Sequence, residues 1–194
     1  SDMARYSILE KYGGMYFDTD MGALKPLEEL RKAMSPAFGI CEIRKPRQYK
    51  VNRTIPATQQ VLDLTTQCSK YVNNNVLGSV PHHPFFKQLC NFTFHKTKDF
   101  LQKKPDPKNV VGITGPETYR EVLDQYFNQS EGPPMKFNFL PHEVFSPCGK
   151  NPCPANHSLL YEPLSHGYHE YHKSWVPGQK KRTKDIWGNP LSVL

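Results

Sequence analysis

The chain has 194 residues, enough for one domain with its own core, and carries a net charge of +7 with a mean hydropathy of −0.65. No apolar run approaches the roughly 18 residues of a transmembrane helix, and the start lacks the pattern of a signal peptide. The basic clusters Arg44-Lys45-Pro46-Arg47, Lys103-Lys104 and Lys180-Lys181-Arg182 lack an accompanying basic helix or aromatic-basic repeat, which argues against nucleic acid. They read as solvated loops, or as attraction to anionic donors or an anionic membrane face.

The first 20 residues are the densest in signal. Ser1 can cap a helix with Asp2 in its positive first turn, and Met3, Tyr6, Ile8, Leu9 and Tyr12 form a broad, imperfect apolar face. Gly13 and Gly14 supply a left-handed exit, and Met15-Tyr16-Phe17 reads as a short buried strand. Asp18 and Asp20 follow where that strand runs out. Carboxylates at i and i+2 on a strand project to one side, and two such oxygens at a strand end suit a hard divalent cation able to hold a diphosphate. A bare Asp-x-Asp is equally at home in a turn, so its context has to carry the reading.

Pro26 is expected to open a helix through about Met34, with Leu27, Leu30 and Met34 on one face, and Ala37 to Glu42 reads as a strand. Residues 43–70 have little periodicity and suggest a long surface segment that would face the acceptor. Val72-Asn73-Asn74-Asn75-Val76-Leu77-Gly78-Ser79 reads by itself as a polar loop. Pro84 starts a helix carrying Phe85, Leu89, Phe92 and Phe100, broken by Pro105 to Pro107. Gly112-Ile113-Thr114-Gly115-Pro116 is a turn into the cleanest amphipathic helix, Thr118 to Asn128. Phe137 to Leu140 and Glu143 to Phe145 are short strand candidates. Alternating short helices and strands argue for an α/β domain.

Asn-x-Ser/Thr sequons at Asn52, Asn91, Asn128 and Asn156 exceed chance and hint at a secretory lumen. Five cysteines point the same way. Cys148 and Cys153 bound a tight loop that a disulfide could close, while Cys41, Cys68 and Cys90 have no evident partner. A zinc site of Cys148, Cys153 and His157 lacks a fourth ligand at standard spacing.

Ser-Asp-x-x-Arg-Tyr, then Lys-Tyr-Gly-Gly-x-Tyr-x-Asp-Thr-Asp, then Leu24-Lys25-Pro26-Leu27 resembles the sugar-binding DXD region of glycosyltransferase family 32. That family includes Och1-like and inositol phosphoceramide mannosyltransferases and α1,4-galactosyl- and α1,4-N-acetylglucosaminyltransferases. Asn75-Val76-Leu77-Gly78 with Pro81-His82-His83-Pro84-Phe85, and Thr114-Gly115-Pro116, are similar to its middle segments. Tyr168-His169-Glu170-Tyr171-His172-Lys173-Ser174-Trp175 is similar to its C-terminal His-His-aromatic-x-x-Ser-Trp, with Glu170 in place of the second His.

The resemblance implies a GT-A-type nucleotide-sugar transferase fold, a Rossmann-like mixed sheet flanked by helices. Its strands for the nucleotide base, and a membrane anchor, would lie outside these residues. It implies a partial catalytic domain over residues 1–175, followed by a basic tail over 176–194. It further implies a retaining enzyme that moves a hexose (mannose, galactose or N-acetylglucosamine) from a UDP- or GDP-sugar to a glycan, glycolipid or glycoprotein. Mn²⁺ or Mg²⁺ would sit on Asp20, Asp18 and His169, with Glu170 and His172 as alternative ligands. Asp2, Arg5, Tyr16, Asp18, Ser174 and Trp175 would contact the donor. The sequons add a Golgi lumenal location, as in a type II membrane protein.

Two other readings accompany this one. Met15 to Gly22 superficially looks like the nucleophile strand of a haloacid-dehalogenase-like phosphohydrolase, with Asp18 as nucleophile and Asp20 as acid/base. No adjacent Asp pair follows to hold its Mg²⁺. A non-catalytic glycosyltransferase-like domain that binds glycans or a partner is the third.

Overall fold

A computed structural model describes residues 2–43, 68–102, 110–145 and 165–169. The expectations for Ser1, Asn52, Asn156, Cys148, Cys153, His157, Glu170, His172, Ser174 and Trp175, and for the acceptor-facing segment, lie outside those residues.

Helix α1 (Asp2–Tyr12) runs into strand β1 (Gly14–Phe17) through Gly13 and Gly14, whose φ values of +66° and +95° provide the left-handed exit read from the sequence. A Cβ on Gly13 would also collide with Pro81 and the Ser79 carbonyl, so this corner demands glycine twice over. Then follow β2 (Met21–Ala23), α2 (Glu28–Ala33), β3 (Ala37–Ile43) and β4 (Cys68–Ser79). Helix α3 (Pro84–Gln102), the short α4 (Val110–Ile113) and α5 (Pro116–Phe127) come next, then β5 (Asn138–Pro141), a 3₁₀ turn (His142–Val144) and β6 (Gly167–His169).

A four-stranded mixed sheet has the order β1-β4-β3-β5, with β5 parallel to β3 and the other pairs antiparallel. Strands β2 and β6 form a separate antiparallel pair. Each face of the four-stranded sheet has its own core. Tyr6, Leu9, Leu77, Phe85, Phe86, Leu89, Tyr119, Val122 and Tyr126 join α1, α3 and α5 on one side. Leu30, Met34, Phe38, Ile40, Val76, Leu140, Val144 and Phe145 close the other. The α/β class is therefore observed, as a mixed sheet with helices against it. No helix among the described residues is long and apolar enough to cross a membrane.

Four local expectations are corrected. Residues 72–79 are not a polar loop but most of the central strand β4. Backbone pairing on both edges, to β1 and β3, and burial of Val76 and Leu77 outweigh the low strand propensity of three consecutive Asn. Glu143 to Phe145 does not form a strand. Val144 and Phe145 are both buried in one cluster, whereas a strand would send neighbours to opposite faces, and the Phe145 amide closes a turn on the His142 carbonyl. On α1, Ile8 and Tyr12 are more than half exposed, and the helix instead buries Tyr6, Leu9 and the charged Arg5. Cys41, read as lacking a partner, is disulfide-bonded, while Cys90 is free.

The β3–β4 register jumps from Gly39↔Leu77 to Ile40↔Asn73, leaving residues 74–76 as a bulge on the β3 side. Bulges re-aim side chains next to sites, and this one presents Asn74 and Asn75 to the end of β1.

Candidate functional site

Strand β1 ends at Phe17, one residue before the first of the two carboxylates. The Asp18 amide still donates to the Asn75 carbonyl at 2.9 Å, and the chain then turns, with the Met21 amide donating to the Asp18 carbonyl at 3.0 Å. Asp18 and Asp20 thus do not converge as i and i+2 on a strand, as their spacing suggested. They converge through a tight turn.

The turn delivers the chain into β2, and β2 pairs with β6 in the register Met21↔His169. This brings residue 169 back to the DXD turn. His169 Nε2 lies 3.1 Å from Asp20 Oδ1. One ligand atom each from Asp18, Asp20 and His169 falls within 4.8 Å of the others. Two carboxylates and one imidazole are a donor set that Mn²⁺ accepts, and their mutual closeness fits one ion. Tyr168 lies across Gly22, where any Cβ would collide with its ring, so close packing of the two strands depends on that glycine.

Arg5 holds the other side of Asp18. Its side chain is 8% exposed, and its guanidinium meets Asp18 Oδ1 at 2.9 Å and Asp2 Oδ1 at 3.0 Å. It also donates to the Asn74 carbonyl at 2.7 Å and lies 4.4 Å from the Tyr16 ring centroid. Its Nε is buried without an acceptor among the described residues. The Tyr16 hydroxyl donates to the same Asp18 Oδ1 at 2.9 Å. Both bonds fall on one oxygen, so among the described residues Oδ2 of Asp18 takes no hydrogen bond. Burial pushes the Asp18 carboxyl above its ordinary value, partly offset by Arg5 and by Tyr16. Burial likewise lifts the Tyr16 phenol to about 12, so it stays a donor.

Asp2 is fixed from three directions, by Arg5, by Asn74 Nδ2 at 3.3 Å and by the Thr114 hydroxyl at 3.0 Å. The Asn74 amide also donates to Tyr6 Oη at 2.8 Å, and Tyr6 donates to the Thr114 carbonyl. The helix α1, the bulge of β4 and the turn before α5 are thereby knitted around the start of α1. His142, next to β5, is held near 4 by burial first and by the proximity of His169 second, so it is neutral at ordinary pH.

Of the residues singled out in the sequence, the structure brings together Asp2, Arg5, Tyr16, Asp18, Asp20 and His169. Asn91 lies exposed on α3 and Asn128 exposed at the end of α5, and the hydroxyl-bearing Thr93 of the Asn91 sequon is buried. Sequence reasoning missed Asn74, Asn75, Thr114 and His142 as members. The Asn-x-hydrophobic-Gly and Thr-Gly-Pro segments were the available signal, but neither says which of its polar residues faces the DXD turn.

Residues 1–35, spanning α1 through α2, match the family model described as the glycosyltransferase sugar-binding region containing the DXD motif. These residues are thus similar to the DXD sugar-binding region of glycosyltransferases, in keeping with the resemblance to family 32. Among similar proteins, mannosyl phosphorylinositol ceramide synthase CSH1 of Saccharomyces cerevisiae is 32% identical over 126 residues, covering 65% of this chain and 26% of that protein. Glycosyltransferase L373 of Acanthamoeba polyphaga mimivirus is 26% identical over 93% of this chain and 58% of its own length. Human α-1,4-N-acetylglucosaminyltransferase is 29% identical over 63% of this chain and 25% of its own. The chain thus spans from a quarter to somewhat over half of these relatives.

Proposed function

We propose that this chain is the catalytic part of a metal-dependent, retaining hexosyltransferase of GT-A type, taking its sugar from a UDP- or GDP-sugar. The observation that carries this reading is the convergence of Asp18 and Asp20, in the segment 1–35 that matches the DXD glycosyltransferase region, with His169 and beside the Asp2–Arg5 pair. One relative named above is a mannosyl phosphorylinositol ceramide synthase and another an α-1,4-N-acetylglucosaminyltransferase, and with the family resemblance the acceptor class proposed is a glycan, glycolipid or glycoprotein. Retention of configuration follows from the family resemblance.

Mn²⁺, or Mg²⁺, held by Asp20, Asp18 and His169 would offset the negative charge that grows on the departing nucleoside diphosphate. The protein's own contribution is orientation. Arg5 and Tyr16 pin Oδ1 of Asp18 and so aim Oδ2, while Asn74 and Thr114 fix Asp2 at the start of α1, where Asp2 and Arg5 would contact the donor sugar. The match of the same residues to the DXD region, and the lack of an adjacent Asp pair in the sequence to hold Mg²⁺, disfavour Asp18 as a phosphohydrolase nucleophile. Ser174 and Trp175 are proposed donor contacts on the same C-terminal segment as His169.

A disulfide-bonded Cys41 and exposed sequon asparagines Asn91 and Asn128 support an oxidising secretory location, proposed as the Golgi lumen with a membrane anchor elsewhere in the protein. The test is Mn²⁺-dependent release of nucleoside diphosphate by the full-length protein over a panel of UDP- and GDP-sugars. Asp20→Asn should abolish it, and wild-type turnover in that variant would sink the metal assignment.

A further inference from the structure

Asn75 sits in the β4 bulge with 2% of its surface exposed. Its carbonyl fixes the Asp18 amide, its Nδ2 lies 3.4 Å from His169 Nδ1, and its Oδ1 is buried without a hydrogen-bond partner among the described residues. The other ring nitrogen of His169, Nε2, faces Asp20 Oδ1. A neutral imidazole has one N–H to place. With the amide donating to Nδ1, the ring proton sits on Nε2 and donates to Asp20, and that tautomer has no lone pair at Nε2 for a cation. Ligation through Nε2 requires the proton on Nδ1 and an acceptor opposite it.

The same amide can supply that acceptor. A half-turn about its Cβ–Cγ bond puts Oδ1 where Nδ2 was, and the two ends are close enough in size for the turn to need little repacking. We propose that Asn75 is a positioning residue for the cation site: a two-ended amide that donates to His169 in the metal-free protein and accepts from it in the loaded one. The ring stays neutral throughout, since the proton released from Nε2 to water is matched by one taken up from water at Nδ1. The inference rests on Asp18, Asp20 and His169 being a cation site.

The test is Mn²⁺ binding to the full-length protein without donor, followed by the electron paramagnetic resonance of the free ion. Asn75→Leu, which cannot accept, should bind Mn²⁺ about 10–100-fold more weakly. Asn75→Asp, which keeps an acceptor at Nδ1, should bind at least as tightly as wild type, whereas a merely structural role would weaken both variants. In the wild type, long-range ¹H–¹⁵N spectra should show the His169 proton moving from Nε2 to Nδ1 on loading with diamagnetic Zn²⁺. If Asn75→Leu binds within twofold of wild type while Asp20→Asn loses binding, the positioning role is wrong and the cation site stands. If wild type binds no Mn²⁺, the cation site itself fails and the inference falls with it. Should Asn75→Leu not fold, the spectra decide alone, and a proton that stays on Nε2 in the loaded protein overturns the proposal.

Discussion

Replacing Arg5 by Leu is the most discriminating single perturbation of this fold. Arg5 is the only guanidinium among the described residues in contact with both Asp2 and Asp18, whose side chains are 17% and 28% exposed. Removing one partner of a fully buried ion pair costs about 3–5 kcal/mol, because the other charge is left uncompensated. Here water reaches both acids in part, which lowers the figure to about 2–4 kcal/mol for Arg5→Leu. Asp18 should carry most of the penalty, since burial already works against its charge and Arg5 is the largest opposing influence. Asp18→Asn should therefore recover part of the loss, with a coupling energy of about 1–2 kcal/mol in the double-mutant cycle. Urea unfolding at pH 7, followed by circular dichroism on wild type, both single variants and the double variant, measures every term. An Arg5→Leu loss under about 0.5 kcal/mol, or strict additivity, would refute a stabilising role for the buried charge network.

Two further outcomes follow from groups outside the site. His83 is fully buried, accepts the Phe85 amide at Nδ1 and donates from Nε2 to the Lys136 carbonyl, so it caps α3 as the neutral ring, and burial holds its pKa below 6.5. The unfolded chain binds this proton more readily than the folded one, so stability falls as pH drops from 7.5 through 6.5. His83→Gln should flatten that part of the difference in urea midpoint between pH 7.5 and 5.5, and an unchanged difference would dismiss His83 as its source. The Tyr119 hydroxyl is buried with no partner among the described residues. Tyr119→Phe should therefore be neutral to about 1 kcal/mol stabilising, and a loss above about 1 kcal/mol in the same assay would mean that the hydroxyl is satisfied after all.

The legible parts of the sequence were those whose signal is local. Gly13-Gly14, the Pro-initiated helices and the amphipathic stretch ending near Asn128 each carry their own dihedral or periodic reason, and each lies close to where it was expected. The Asn73-Asn74-Asn75 run conceals a central strand because its stability comes from the strands on either side and from a bulge, neither of which is written in residues 72–79. Arg5 defeats an apolar-face reading of α1 because its burial is made acceptable by Asp2, Asp18 and a carbonyl about 70 residues away.

The site shows the same division more sharply. Asp18 and Asp20 are visible as a motif, yet what makes them converge is a turn rather than a strand face, and the third potential ligand arrives through a three-residue pairing nearly 150 residues downstream. So short a strand has no propensity to read. His169 is placed by Gly22, which lets Tyr168 pack flat across β2, and by Asn75, which meets the ring from β4. The motif therefore names the chemistry, but its geometry depends on a glycine and a bulge that no motif singles out, and on an asparagine whose own motif does not say that it faces His169. Asn75→Asp should therefore separate cation affinity from folding more cleanly than a variant of Asp18, on which the buried charge network with Arg5 also depends.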